Sequence, residues 1–134
     1  MKLIIAGSRD LNLTPHYISD KMIEFGIYDQ ITEVVSGGAS GVDKSGEKWV
    51  ENEFWGDVEM QNRCDPNHQI RDIKIKIFEA EWNFYGNAAG PIRNKKMAEY
   101  ADCLLLIHKN TPGSLNMKKC MQEIGKPIFE VIYE

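Results

Sequence analysis

The sequence predicts an α/β fold, a parallel sheet with helices on both faces. Three observations carry this. Five short apolar or β-branched runs read as strands, helical patterns lie between them, and glycine, serine and proline cluster where strand gives way to helix. Strands that alternate with helices pair in parallel through right-handed crossovers. In order, the strands are Lys2–Ala6, Ile31–Ser36, Ile73–Phe78, Asp102–Ile107 and Pro127–Ile132. The third alternates Ile73, Ile75 and Ile77 with Lys74 and Lys76, a pattern suited to a sheet edge because charge discourages edge-to-edge pairing.

The first helix runs from Thr14 or Pro15 to Phe25, with threonine as cap, proline in the first turn, and Ile18, Met22 and Phe25 on one stripe. The second spans Gly41–Phe54, the third Pro91–Tyr100, and the fourth Pro112–Ile124 with Gly125 as its stop. The polar stretch Trp55–Asp72, which contains Pro66, reads as an insertion or long loop.

At 134 residues the chain fits one domain, 1–134, with 43% hydrophobic and 27% charged residues. No apolar run is long enough for a membrane span, and Leu3–Ala6 is too short for a signal-peptide core, so the expected location is cytoplasmic. Cys64, Cys103 and Cys120 lack the spacing of a metal or redox motif, so the residues call for no metal and no resident cofactor. Cys103 reads as a small core residue. A net charge of −4 argues against a nucleic-acid footprint but leaves room for a small basic pocket.

Ligands of parallel sheets bind beyond the C-terminal strand ends. There the chain places Gly7-Ser8-Arg9-Asp10, then Gly37-Gly38-Ala39-Ser40-Gly41-Val42-Asp43, then His108 through Ser114. Glycine lets backbone approach a ligand, and a helix start offers free N–H groups to a phosphate. The Walker A and dinucleotide spacings are both absent. Arg9 can fork onto a phosphate or carboxylate. Arg93 and Asn94 fall in the expected first turn of the third helix, where a cation is unfavourable unless an anion is bound. Thr111-Pro112-Gly113-Ser114 opens the fourth helix, and Trp82, Phe84 and Tyr85 offer rings to stack on a base or cap the pocket. His16 and His68 read as isolated surface residues, and His108 has no evident carboxylate partner.

The three motifs Gly7–Asp10, Val35–Asp43 and Ala89–Met97 resemble the SLOG superfamily, and within it the small YspA/YpsA-related branch found in bacteria and phages. Relatives there include the Smf/DprA DNA-processing proteins and the LOG phosphoribohydrolases. The resemblance implies a Rossmann-like three-layer α/β/α sandwich with sheet order 3-2-1-4-5, and a pocket for a nucleotide or a nucleotide-derived, ADP-ribose-like molecule. It implies ligand loops at Gly7, Ser8 and Arg9; at Gly37, Gly38, Ala39, Gly41 and Asp43; at Arg93 and Asn94; and at Gly113 and Ser114, with Trp82 over the base. Asp43 would order its own turn or bond a ribose hydroxyl. Superfamily members often dimerise, so a homo-oligomer is a further expectation.

LOG enzymes carry glutamate in the loop after the fourth strand, where this chain has Asn116 and Met117. Cleavage of an N-glycoside needs a carboxylate. Binding or sensing is therefore the first expectation. Hydrolysis of a nucleoside monophosphate, with Asp43 or Glu81 as the carboxylate, is the second. Single-stranded DNA binding through scattered lysines is the third.

Overall fold

A computed structural model describes residues 1–133. Its centre is a sheet of five parallel strands: β1 (Lys2–Gly7), β2 (Glu33–Ser36), β3 (Lys74–Ile77), β4 (Cys103–His108) and β5 (Ile128–Ile132). They lie in the order β3-β2-β1-β4-β5 with every pairing parallel. This is a Rossmann-like α/β fold.

Side chains alternate across a strand, so one strand feeds two cores. Leu3, Ile5, Val34, Leu105 and Ile107 face one layer with Ile18 and Met22 of α1 (Pro15–Glu24) and Trp49 of α2 (Val42–Arg63). Ile4, Ala6, Val35, Leu104 and Leu106 face the other, with Met97 of α4 (Ala89–Tyr100) and Met117 and Met121 of α5 (Pro112–Glu123). All six residues of β4 are buried, the continuous apolar run that a central parallel strand requires. Cys103 is among them, and burial pushes its thiol up to about 11.

The expected loop Trp55–Asp72 is corrected over much of its length. Helix α2 continues to Arg63, making 22 residues, and its later half is largely exposed. Polar residues there were solvated helix surface, Gly56 is tolerated in mid-helix, and the proline, Pro66, lies beyond the helix end. The following segment is strapped down. Asp57 accepts from the Arg71 amide (3.0 Å) and contacts His68 Nε2 (2.8 Å), so His68 is not isolated. Arg71 Nη2 donates to the carbonyls of Tyr28 and Ile31, and its guanidinium lies over the Tyr28 ring.

Strand β3 stands at the sheet edge, as its lysines suggested, with all four residues exposed. The chain then forms a short helix α3 (Trp82–Tyr85) and a 3-10 turn (Gly86–Ala88) that runs directly into α4. Helix α4 thus begins two residues before Pro91. Arg93 is its fifth residue, beyond the first turn, so the expectation of a cation against free amides is also corrected.

Candidate functional site

Three loops meet at the C-terminal ends of β1, β2 and β4. The first two touch through one backbone bond and one side-chain bond. The amide of Val42 donates to the Ser8 carbonyl (3.3 Å), and the Ser40 hydroxyl donates to the Arg9 carbonyl (3.3 Å). This contact is what Gly41 serves. Its φ is +77°, and an added Cβ would lie 2.4 Å from the Ser8 oxygen. Gly37 is equally constrained, since a Cβ there would lie 2.7 Å from both Arg93 Nη1 and Asp43 Oδ2. The glycine richness of this turn is thus accounted for by the protein's own packing.

Arg93 reaches across from α4 to this turn. Its Nη1 donates to the Gly37 carbonyl (2.5 Å), and its Nε donates to Asn94 Oδ1 (3.0 Å). Asn94 is held in turn by Asn116 Oδ1 on α5, which accepts from its Nδ2 (2.9 Å). Asn94 is buried, with its oxygen taken by Arg93 and one of its two amide N–H donors taken by Asn116, so it orients Arg93.

Arg9, by contrast, is exposed, with its guanidinium 5.9 Å from the Trp82 ring centre. The two arginines are close enough that Arg9 depresses the protonation of Arg93, adding to the larger effect of burial while Asp43 opposes both. Among the described residues, neither arginine has a carboxylate oxygen within ion-pairing distance. Together with Gly38, Ala39, Ser40 and Trp82 they line a cavity of about 290 Å³.

Asp43 lies deeper, in the first turn of α2. Burial pushes its carboxyl up to about 6, against the pull of Arg93 and of the Ala39 and Gly7 amides that donate to it. Asp43 thus orders the glycine turn from beneath. A small cavity of about 50 Å³ connects it with Arg9, Arg93, Asn94, Gly113 and Ser114.

The remaining site residues divide. Gly7 is required by close packing, because a Cβ there would overlap the Ile107 carbonyl. Ser8 is fully buried. Its hydroxyl accepts from the Lys109 amide (2.9 Å), so it ties two loops together rather than facing a ligand. Ser114 is buried against Thr111 Oγ1 (2.7 Å). Gly113, with Thr111 and Pro112, lines a third cavity of about 420 Å³ beside Arg9 and Asp10. Glu81 is exposed and lies outside the arginine cavity, as does Phe84.

Two features escape a reading by sequence: the carboxylate beside His108, and Glu79 in the arginine cavity. His108, fully buried beneath the third loop, has a carboxylate partner after all: its Nε2 meets Glu130 of β5 at 2.8 Å, and Glu130 also accepts from Lys118. The His108 Nδ1 accepts from the amide of Asn110, which sits at φ 60°. Only the β4–β5 register, with Leu106 opposite Glu130, brings these groups together. Glu79 lines the arginine cavity from the segment after β3 and carries no motif that would single it out.

No family model, curated protein or solved structure matches this chain. The fold and the site geometry therefore carry the functional argument.

Proposed function

We propose that the protein binds or senses a nucleotide or nucleotide-derived ligand, with a phosphate held between Arg9 and Arg93 over the Gly38–Ser40 turn. One observation carries this reading. Two arginines, neither with a carboxylate oxygen within ion-pairing distance among the described residues, line one cavity at the strand ends. Like charges placed together cost free energy that a bound anion recovers, and a guanidinium fork matches a phosphate. The half-exposed Trp82 ring beside Arg9 suits stacking of a base. The glycines add little to the argument, because packing already requires them.

The resemblance to the SLOG superfamily is part of the same proposal, as is a cytoplasmic location, which three free cysteines fit. Isothermal titration with AMP and ADP-ribose tests the reading. Binding tighter than about 1 mM is expected, weakened about ten-fold or more in Arg9→Ala and in Arg93→Ala. Absence of binding to the native chain, or unchanged affinity in both variants, contradicts it.

Asp43 favours a second reading, N-glycoside hydrolysis. A buried carboxyl with its pKa near 6, connected by a small cavity to both arginines, can hold or release a proton near neutrality. This reading expects free base from a nucleoside monophosphate, and loss of that activity in Asp43→Asn. Lack of base release at high enzyme concentration removes it.

A further inference from the structure

The arginine cavity does not end at Trp82. A larger groove of about 750 Å³ continues beyond it, lined by Ile77, Asn83 and Phe84 together with Glu79, Ala80, Glu81 and Trp82. Glu79, Ala80 and Trp82 line both spaces, so the two are one continuous surface with a change of character at Trp82. On the inner side stand two cations; Glu79 and Trp82 stand at the junction, and Glu81 and Phe84 lie on the outer side. Glu79 and Glu81 are exposed and have no ion-pair or hydrogen-bond partner for their side chains among the described residues. Phe84 is 79% exposed and packs edge-on against Tyr85, leaving one of its faces open to the groove's side of the molecule.

We infer that the ligand is a single guanine nucleotide carrying a 5′-phosphate, with its base in the outer groove against Trp82 and its Watson–Crick edge on Glu81. This rests on the phosphate assignment above. The order of groups along the surface matches the order along such a molecule. Phosphate meets the arginines, the ribose diol falls at Glu79 where the two spaces join, and the base lies over the rings.

The carboxylate selects the base. Ionised glutamate only accepts, through two oxygens side by side. Guanine presents two adjacent donors, N1–H and N2–H, which fit that pair as a charge-assisted bidentate contact. Adenine and cytosine each set a ring-nitrogen acceptor beside their amino group, and that lone pair opposes a carboxylate. Uracil has one donor between two carbonyls. The same carboxylates repel the next phosphate of a strand, so the groove suits a mononucleotide better than a polynucleotide.

Titration of the native chain with GMP, IMP and AMP, repeated for Glu81→Gln and Arg9→Ala, tests this. Both side chains are exposed, so the variants are expected to keep the fold. GMP should bind about ten-fold or more tightly than AMP, with IMP between because it lacks the N2 amino group. Glu81→Gln should bring GMP and AMP to within about two-fold, and Arg9→Ala should weaken all three by a common factor. Equal or tighter binding of AMP, or a GMP preference that survives Glu81→Gln, overturns the guanine inference and leaves the phosphate site standing. No binding by any of the three overturns both.

Discussion

Asp43 and Arg93 meet at Gly37, and each changes the other's behaviour. The Asp43 carboxyl is raised to about 6 by burial, so the folded protein holds its proton more tightly than the unfolded chain does. The sign follows from linkage. Its contribution to stability is fully present below the ordinary aspartate pKa of about 4 and is lost as pH rises through about 6. The cost above that window is on the order of 2–3 kcal/mol. Asp43→Asn keeps an acceptor for the Ala39 amide and loses the charge. The variant should unfold at higher temperature than the native chain at pH 7, and the gap should close by pH 4.5. A melting temperature difference that does not change with pH contradicts this account of the carboxyl. Gly41 gives a second prediction at this scale. Its positive φ and its contact with the Ser8 carbonyl make Gly41→Ala destabilising by roughly 2–4 kcal/mol in denaturant unfolding. Gly56, exposed in mid-helix with open space around it, should instead gain up to about 1 kcal/mol on Gly56→Ala.

Among the elements, those with a one-sided or continuous apolar pattern were legible in the sequence. β1 and β4 are continuous apolar runs because both faces are covered, and α1 announced itself through Thr14, whose hydroxyl accepts from the Tyr17 amide, and Pro15. The later half of α2 was not legible. A helix extending beyond the sheet has no core to face, so Trp55–Arg63 shows no stripe. What holds it is long-range and polar: Glu53 takes hydrogen bonds from Tyr28 and Ser19, and Arg71 bonds two carbonyls that are 40 or more residues away in sequence. Such bonds leave no periodic trace. Arg71→Ala should therefore destabilise by about 2–3 kcal/mol, since Glu53 and two carbonyls lose a partner. Hydrogen exchange should localise the loosening to residues 64–73 and the 3-10 turn Tyr28–Gln30. A uniform loss of protection throughout the sheet runs against this. The site was legible to the same degree. Arg9 and Arg93 could be anticipated at one rim because parallel strands put their C-terminal ends together. The buried roles of Ser8, Asn94 and Ser114 could not, because each depends on which loop lies opposite.

For the molecule as a whole, the sheet order places the chain's reversal between β1 and β4, and the loops after β1, β2, β3 and β4 gather along one rim. The chain is acidic overall, yet two arginines stand together there, with Glu79 at the edge of their cavity and Glu81 outside it. On the proposed reading, that arrangement attracts a compact anion and repels an extended one. Association with a nucleotide should accordingly weaken with added salt by far less than binding to a strand does, since only one phosphate is engaged. No helix among the described residues is long and apolar enough to cross a membrane. The most direct measurement is a crystal structure grown with GMP at millimolar concentration. The account predicts phosphate density within hydrogen-bonding distance of both Arg9 and Arg93, with the base on Trp82. Density at the cavity beside Thr111–Ser114, or none at either place in a crystal whose site is open to solvent, contradicts it.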